Sequence, residues 1–203
     1  MRFPQSPIMR DVFRLFSKID IIDKVIPYHF TVPTNLLYFN GIRRPREDPS
    51  IFTSTAFDIN TILEPYASLG WEYLAEYVVK PFKDALIKDN DNNTQRGWEL
   101  LMRYDPYSAR TYMENFPLIV QTDGDKALLN PSGLLPYPPA VVDWLELFNT
   151  STSSYTYALS EMVLEDLAFA WPGVKDWSCI QYVTPQIILQ LTDKPQRWHW
   201  RDP

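Results

Sequence analysis

Glycine is scarce in this chain: six among 203 residues, none arranged as G-x-G-x-x-G. That pattern lets a strand-to-helix turn approach the pyrophosphate of a dinucleotide, so the sequence shows no obvious seat for one. Cysteine is scarcer. Cys179 stands alone, which excludes an intrachain disulfide and a cysteine-built metal centre, and His29 and His199 are the only imidazoles. No apolar run reaches the roughly 18 residues of a membrane-spanning helix. No apolar signal segment is visible at the N-terminus, so a cytoplasmic location is the default expectation. Positive charge is in deficit, with a net charge of −6. An acidic surface argues against nucleic acid and gives no pull toward anionic membranes.

What is abundant is apolar and aromatic. The chain is 45% hydrophobic and 15% aromatic, with seven Trp and twelve Tyr, enough for a sizeable core. Eighteen prolines, spread rather than clustered, predict frequent breaks between short elements. The sequons at Asn92 and Asn149 are read as chance occurrences in polar loops.

Periodicity predicts a mostly helical chain with a little sheet. Ile8, Val12, Leu15 and Phe16 share a helical face. Residues 25–32 read as extended. Leu36 to Phe39, then Asn40-Gly41, then Ile42-Arg43 is a hairpin signal, because Asn-Gly tolerates the positive φ of a type I′ turn. Residues 45–66 read as loop. Trp71 to Lys88 is the longest helical pattern, with a kink or break expected at Pro81. A polar loop at 89–94 and a short helix at 95–102 follow, then a helix capped by Ser108 and running through Met113. Residues 116–139 read as a long loop. Helices are expected at 138–148 and 155–169 and a strand at 177–183, with no period in the tail from Thr192.

Several segments, in order, resemble one family. They are Met1-Arg2-Phe3-Pro4, then Tyr38-Phe39-Asn40-Gly41-Ile42-Arg43, then Pro81 to Leu86, then Tyr104-Asp105 to Tyr112. Val142 to Glu146, Leu159-Ser160-Glu161 and Trp177-Ser178-Cys179-Ile180 complete the series. Together they resemble the flavin-dependent L-amino-acid oxidases of the flavin amine oxidase family, the fungal type above all. The resemblance implies an α+β, mostly helical fold with a small β-hairpin or sheet: the substrate-binding, helical part of an amine-oxidase-like domain over 1–191, incomplete relative to the family, with 192–203 as a tail. In such enzymes FAD takes a hydride from Cα of an L-amino acid, the imino acid hydrolyses to a 2-oxo acid and ammonia, and oxygen reoxidises the flavin to give hydrogen peroxide.

The resemblance implies that Arg2 holds the substrate carboxylate, since a guanidinium fork binds a carboxylate bidentately and stays charged. As the second residue of the chain, Arg2 is read here as a solvated arginine, which becomes the carboxylate anchor if the chain has any such activity. Glu165 falls where venom-type oxidases have a histidine proposed as a base; beside Glu161 and Asp166 it reads as part of a solvated acidic face. Asp105 reads as a turn and helix entry, His29 as a core or edge residue, His199 as tail, and Cys179 as a small hydrophobe on a buried strand. No Ser/His/Asp or Cys/His arrangement holds together. Tyr182-Val183-Thr184 stands where the family has a Gly-Gly-Thr turn beside the cofactor.

Two origins fit these departures: a coding sequence read from an internal Met into intron sequence, or a decayed paralogue. The chain alone is expected neither to bind FAD nor to oxidise L-amino acids. The alternative is a non-catalytic interaction protein, associating with itself or with a homologous oxidase through exposed apolar surface.

Overall fold

The computed structural model describes residues 2–29, 34–39, 41–45, 53, 61–120, 122–148, 153–174 and 176–181. The expected tail at 192–203, with His199, and Tyr182-Val183-Thr184 lie outside them, as does most of 45–60. The described residues are mostly helical with small antiparallel sheets, an α+β class. They fall into two compact units, Met1–Phe30 with Ala168–Pro203, and Thr31–Leu167.

In the first unit, β1 (Arg2–Pro4) leads through a 3₁₀ turn at Pro7–Met9 into α1 (Arg10–Lys18), and β2 (Val25–Pro27) follows. The strand from the other end of the chain, β5 (Trp177–Ile180), lies between β1 and β2 and is antiparallel to both. Successive strand residues alternate faces. Phe3, Val25 and Ile180 therefore share the inner face, where they pack with Phe16 and Ile21. The Phe3 and Phe16 rings meet edge to face at 4.9 Å. Gln5 Nε2 donates to the buried Ser178 Oγ (3.1 Å), which satisfies the polar group on that face.

The second unit begins with the hairpin β3 (Leu36–Phe39) and β4 (Ile42–Pro45), with Phe39 opposite Ile42 and Gly41 at φ +78° in the turn. After α2 (Tyr66–Leu69) comes α3, which runs as one helix over Trp71–Asn92. Of the kink or break expected at Pro81, the break is therefore absent. Pro81 sits among Val78, Val79, Phe82 and Lys83, all buried, and tertiary packing of that face outweighs one missing donor. The loop expected at 89–94 is corrected too: the helix continues to Asn92 and ends at Asn93 in the left-handed conformation (φ 52°).

Asp89, buried in that last turn, caps the next helix, α4 (Arg96–Met102). Its carboxylate accepts from the Trp98 N–H at 2.9 Å and the Thr94 hydroxyl at 2.5 Å. Desolvation pushes its pKa up. The Thr94 hydroxyl and the N–H groups of Trp98, Gly97 and Arg96 outweigh that and hold it below the ordinary aspartate value. The cap requires α3 and α4 to touch. A Cβ on Gly97 would lie 2.4 Å from the Ala85 carbonyl carbon, so glycine is what lets the two backbones meet.

Ser108 caps α5 as expected, accepting from the Thr111 N–H at 3.0 Å. The helix runs over Ala109–Ile119, beyond the expected end, and α6 (Asp123–Leu129) follows where a loop was expected. Pro117 hides the extension. It leaves the Met113 carbonyl without its helical donor and Asn115 departs from helical geometry, but the Tyr137 N–H takes that carbonyl at 2.8 Å. Thr122 caps α6 by accepting from the Asp125 N–H at 3.1 Å.

The next helix, α7 (Pro139–Phe148), matches expectation. The helix expected over 155–169 divides into a 3₁₀ turn at Ser154–Thr156 and α8 (Leu159–Phe169). It divides because Tyr157 and Leu159 give their backbone groups to Ala109 and Tyr107.

The core of this unit centres on Phe82, whose ring meets the rings of Tyr104 and Tyr112 edge to face at 5.8 and 5.9 Å. Two ionic ties join the helices. Arg110 on α5 reaches Glu114 (3.1 Å), and Asp143 and Glu146 on α7 (2.8 and 2.7 Å). Lys83, buried on α3, donates to Glu76 on the same helix (2.8 Å) and Asp166 on α8 (2.5 Å).

Replacing Gly97 by alanine drives a methyl group into the backbone of α3. It is expected to cost about 2 kcal/mol or more despite alanine's better helix propensity. Urea unfolding of Gly97→Ala measures this; an unchanged midpoint would contradict the close approach.

Burial lowers the Lys83 pKa, but Asp166 and Glu76 outweigh it and hold the ammonium above the ordinary lysine value of 10.5. Burial also raises the Tyr112 and Tyr137 phenols; Tyr104 is raised by burial and by its bond to Asp125. For all four groups the folded state retains its proton to higher pH than the unfolded state. Their contribution is complete below the unfolded pKa values of about 10 and is lost as pH rises through the folded ones. Stability is therefore expected to fall steeply above roughly pH 10. The stability gap between the native chain and Lys83→Met should narrow there, as read from unfolding midpoints at pH 8 and pH 11. A gap that widened with pH would contradict the pairing.

Candidate functional site

Arg2 stands on β1, an edge strand, directly across from Cys179 on β5, and Ile26 on β2 flanks Cys179 from the other side. Directly paired residues point to the same face, so these three form one row on the outer face of the sheet. Tyr28 and Trp177 lie two residues further along on the same face, joined by a bond from the Tyr28 N–H to the Trp177 carbonyl at 2.8 Å. The Arg2 guanidinium lies over the Tyr28 ring, 5.9 Å from its centroid. Phe169 stacks on Trp177 with ring centroids 4.8 Å apart. The site is thus an exposed guanidinium on an aromatic floor.

A cleft of about 350 Å³ is lined by Gln5, residues 25–29 and residues 176–178, and so runs along β2. Tyr28 belongs to both features. It was not singled out from sequence, because its place opposite Trp177 exists only once β5 has paired with β2.

The other sequence candidates are placed as follows. Cys179 is half-buried rather than buried; the buried member of β5 is Ser178, on the opposite face. His29 is exposed. Asp105 accepts a hydrogen bond from Ser160 Oγ, which ties the turn after α4 to the start of α8. Glu165 is exposed on α8. Lys83, buried and doubly paired, looks ionic and unusual, but both of its partners are half-exposed carboxylates that neutralise it, so it holds α3 to α8.

Among the described residues no cluster of three or more His, Cys, Asp or Glu could hold a metal ion, and no helix is long and apolar enough to cross a membrane. A dinucleotide needs a parallel strand–turn–helix unit whose glycines expose backbone N–H groups to the pyrophosphate. The described sheets are antiparallel, and β1 enters its helix through Gln5-Ser6 rather than through glycines. These residues do not fit a flavin pyrophosphate.

No protein-family model matches the chain. It is 33% identical over 200 residues to L-amino-acid oxidase 4 of Hebeloma cylindrosporum, an alignment covering 94% of this chain and 30% of that protein. The chain thus spans less than a third of that relative's length. It is also 30% identical over 150 residues to the cytotoxic L-amino-acid oxidase of Amanita phalloides, covering 68% of this chain and 99% of that protein. That match runs through almost all of the Amanita protein, and the chain belongs to the L-amino-acid oxidase family.

Proposed function

We propose that this chain is the substrate-side part of an FAD-dependent L-amino-acid oxidase and that Arg2 holds the carboxylate of the amino acid. The observation that carries this reading is the outer face of the β1–β5–β2 sheet, where Arg2 is presented in an ordered strand over Tyr28. A guanidinium fixed at its Cα and supported by an aromatic ring loses less freedom when it binds than one on a frayed end, so a bidentate contact is favoured there. FAD, in an intact member of the family, supplies the oxidation of Cα. The described residues do not fit its pyrophosphate, so this chain's share is binding and orientation, without oxidation by the chain alone.

Exposed apolar side chains favour a second reading, association with itself or with a homologous oxidase. Leu118 is 83% exposed, Tyr38 74% and Leu63 73%. Surface of this kind is commonly covered by a partner.

One preparation of the 203-residue chain separates these readings. After excess FAD and desalting, no flavin absorbance is expected, and no peroxide with any L-amino acid. Titration with L-leucine is expected to give saturable binding that Arg2→Ala weakens about 10- to 100-fold, the worth of a charge-assisted bond pair. Retained flavin or peroxide release would overturn the division of labour. Equal binding by Arg2→Ala would overturn the carboxylate role. A clean monomer on gel filtration, with no apolar dye bound, would count against association.

A further inference from the structure

The geometry points to a second binding site, on the face of the β1–β5–β2 sheet opposite Arg2: the cleft along β2 takes a small guanidinium compound on the Asp176 carboxylate. The strand register builds this site. On one side, the Gln5 N–H donates to the Asp176 carbonyl at 3.0 Å, one residue beyond the pair Pro4 and Trp177. On the other, the Tyr28 N–H donates to the Trp177 carbonyl at 2.8 Å, one residue beyond the pair Pro27 and Ser178. Continued by one more residue, that ladder brings His29 opposite Asp176. Gln5, Asp176 and His29 thus form one row across the three strands. Side chains alternate faces along a strand, so this row shares a face with Phe3, Val25, Pro27 and Ser178, and not with Arg2. The cleft of about 350 Å³ has Gln5, Val25, Pro27, His29, Asp176 and Ser178 in its lining, all from that one face.

The chemistry of the row is that of acceptors without a cation. No lysine or arginine is among the lining residues. Cross-strand neighbours have Cβ atoms roughly 5 Å apart. Even so, neither Asp176 nor His29 makes a side-chain hydrogen bond or ion pair among the described residues, and both are exposed. Gln5 turns its Nε2 to the buried Ser178 Oγ at 3.1 Å, which leaves its Oε1 as an acceptor. Both carboxylate oxygens, the Gln5 Oε1 and the acceptor nitrogen of a neutral imidazole therefore surround the cleft. A guanidinium matches such a set better than an ammonium does. It carries five N–H donors in one plane and engages a carboxylate through two parallel bonds, whereas an ammonium is a point charge with three donors. Val25 and Pro27 give a short carbon stem an apolar wall. The volume stands at the small end of ligand pockets, roughly 300–1,000 Å³. None of this depends on the reading of Arg2.

The experiment titrates the full 203-residue chain with n-butylguanidinium chloride and follows the backbone amides by NMR. Saturable shifts at millimolar concentration are expected at Gln5, at residues 25–29 and at 176–178. Asp176→Asn should weaken binding about 10-fold, with unchanged amide positions in α1 as the check that the sheet still carries its helix. On the native chain, n-butylammonium should bind at least about 3-fold more weakly, and butyrate should shift none of these amides. Shifts that do not saturate, or that Asp176→Asn leaves in place, would overturn the site. Equal binding of n-butylammonium would overturn the guanidinium assignment. A loss of L-leucine binding on Arg2→Ala bears on the outer face alone, so failure of either site is read separately.

Discussion

The candidate site depends on one backbone pairing, that of Trp177–Ile180 between Arg2–Pro4 and Val25–Pro27. Residues at opposite ends of the sequence meet there, so the loop-closure entropy is large and must be met by burial. The Phe3–Phe16 contact and the packing of Ile21, Val25 and Ile180 on the inner face supply it. The register then decides everything on the outer face. A slip of one residue would turn Arg2 inward and Phe3 out to solvent. Burial of an aromatic on one side thereby fixes the direction of an arginine on the other.

The second unit shows the same economy with different means. Gly97 removes a side chain so that α3 and α4 meet at backbone distance, and Asp89 in α3 can then cap α4 from outside it. Pro117 removes a donor, and the Met113 carbonyl it releases becomes the anchor for Tyr137 in the following segment. In both cases a residue that weakens a helix locally creates a tertiary contact that a stronger helix former would have prevented.

These cases also mark what could be read from the residues alone. The hairpin at Leu36–Pro45, the Ser108 cap, the helix over Pro139–Phe148 and the long helix from Trp71 carried local signals: Asn-Gly, a hydroxyl at a helix start, and apolar spacing. The misreadings came where distant partners overrode a local rule. Pro81 predicts a kink or a break, but a buried face keeps Trp71–Asn92 as one helix. Asp89 was read as loop, but its acceptors are used by the next helix. Residues 116–139 were read as loop because Pro117 obscured the end of one helix and the Thr122 cap of α6 was missed. For the site, Arg2 came from resemblance and not from pattern. Tyr28 could not have been found, since it meets Arg2 only across a strand that begins at Trp177.

The most direct test of the central claim is a crystal structure of the 203-residue chain saturated with L-leucine. The account predicts the leucine carboxylate on the Arg2 guanidinium, both oxygens at roughly 2.7–2.9 Å, with the guanidinium still over the Tyr28 ring. Leucine bound elsewhere, or Arg2 turned off the Tyr28 ring in the complex, would contradict it.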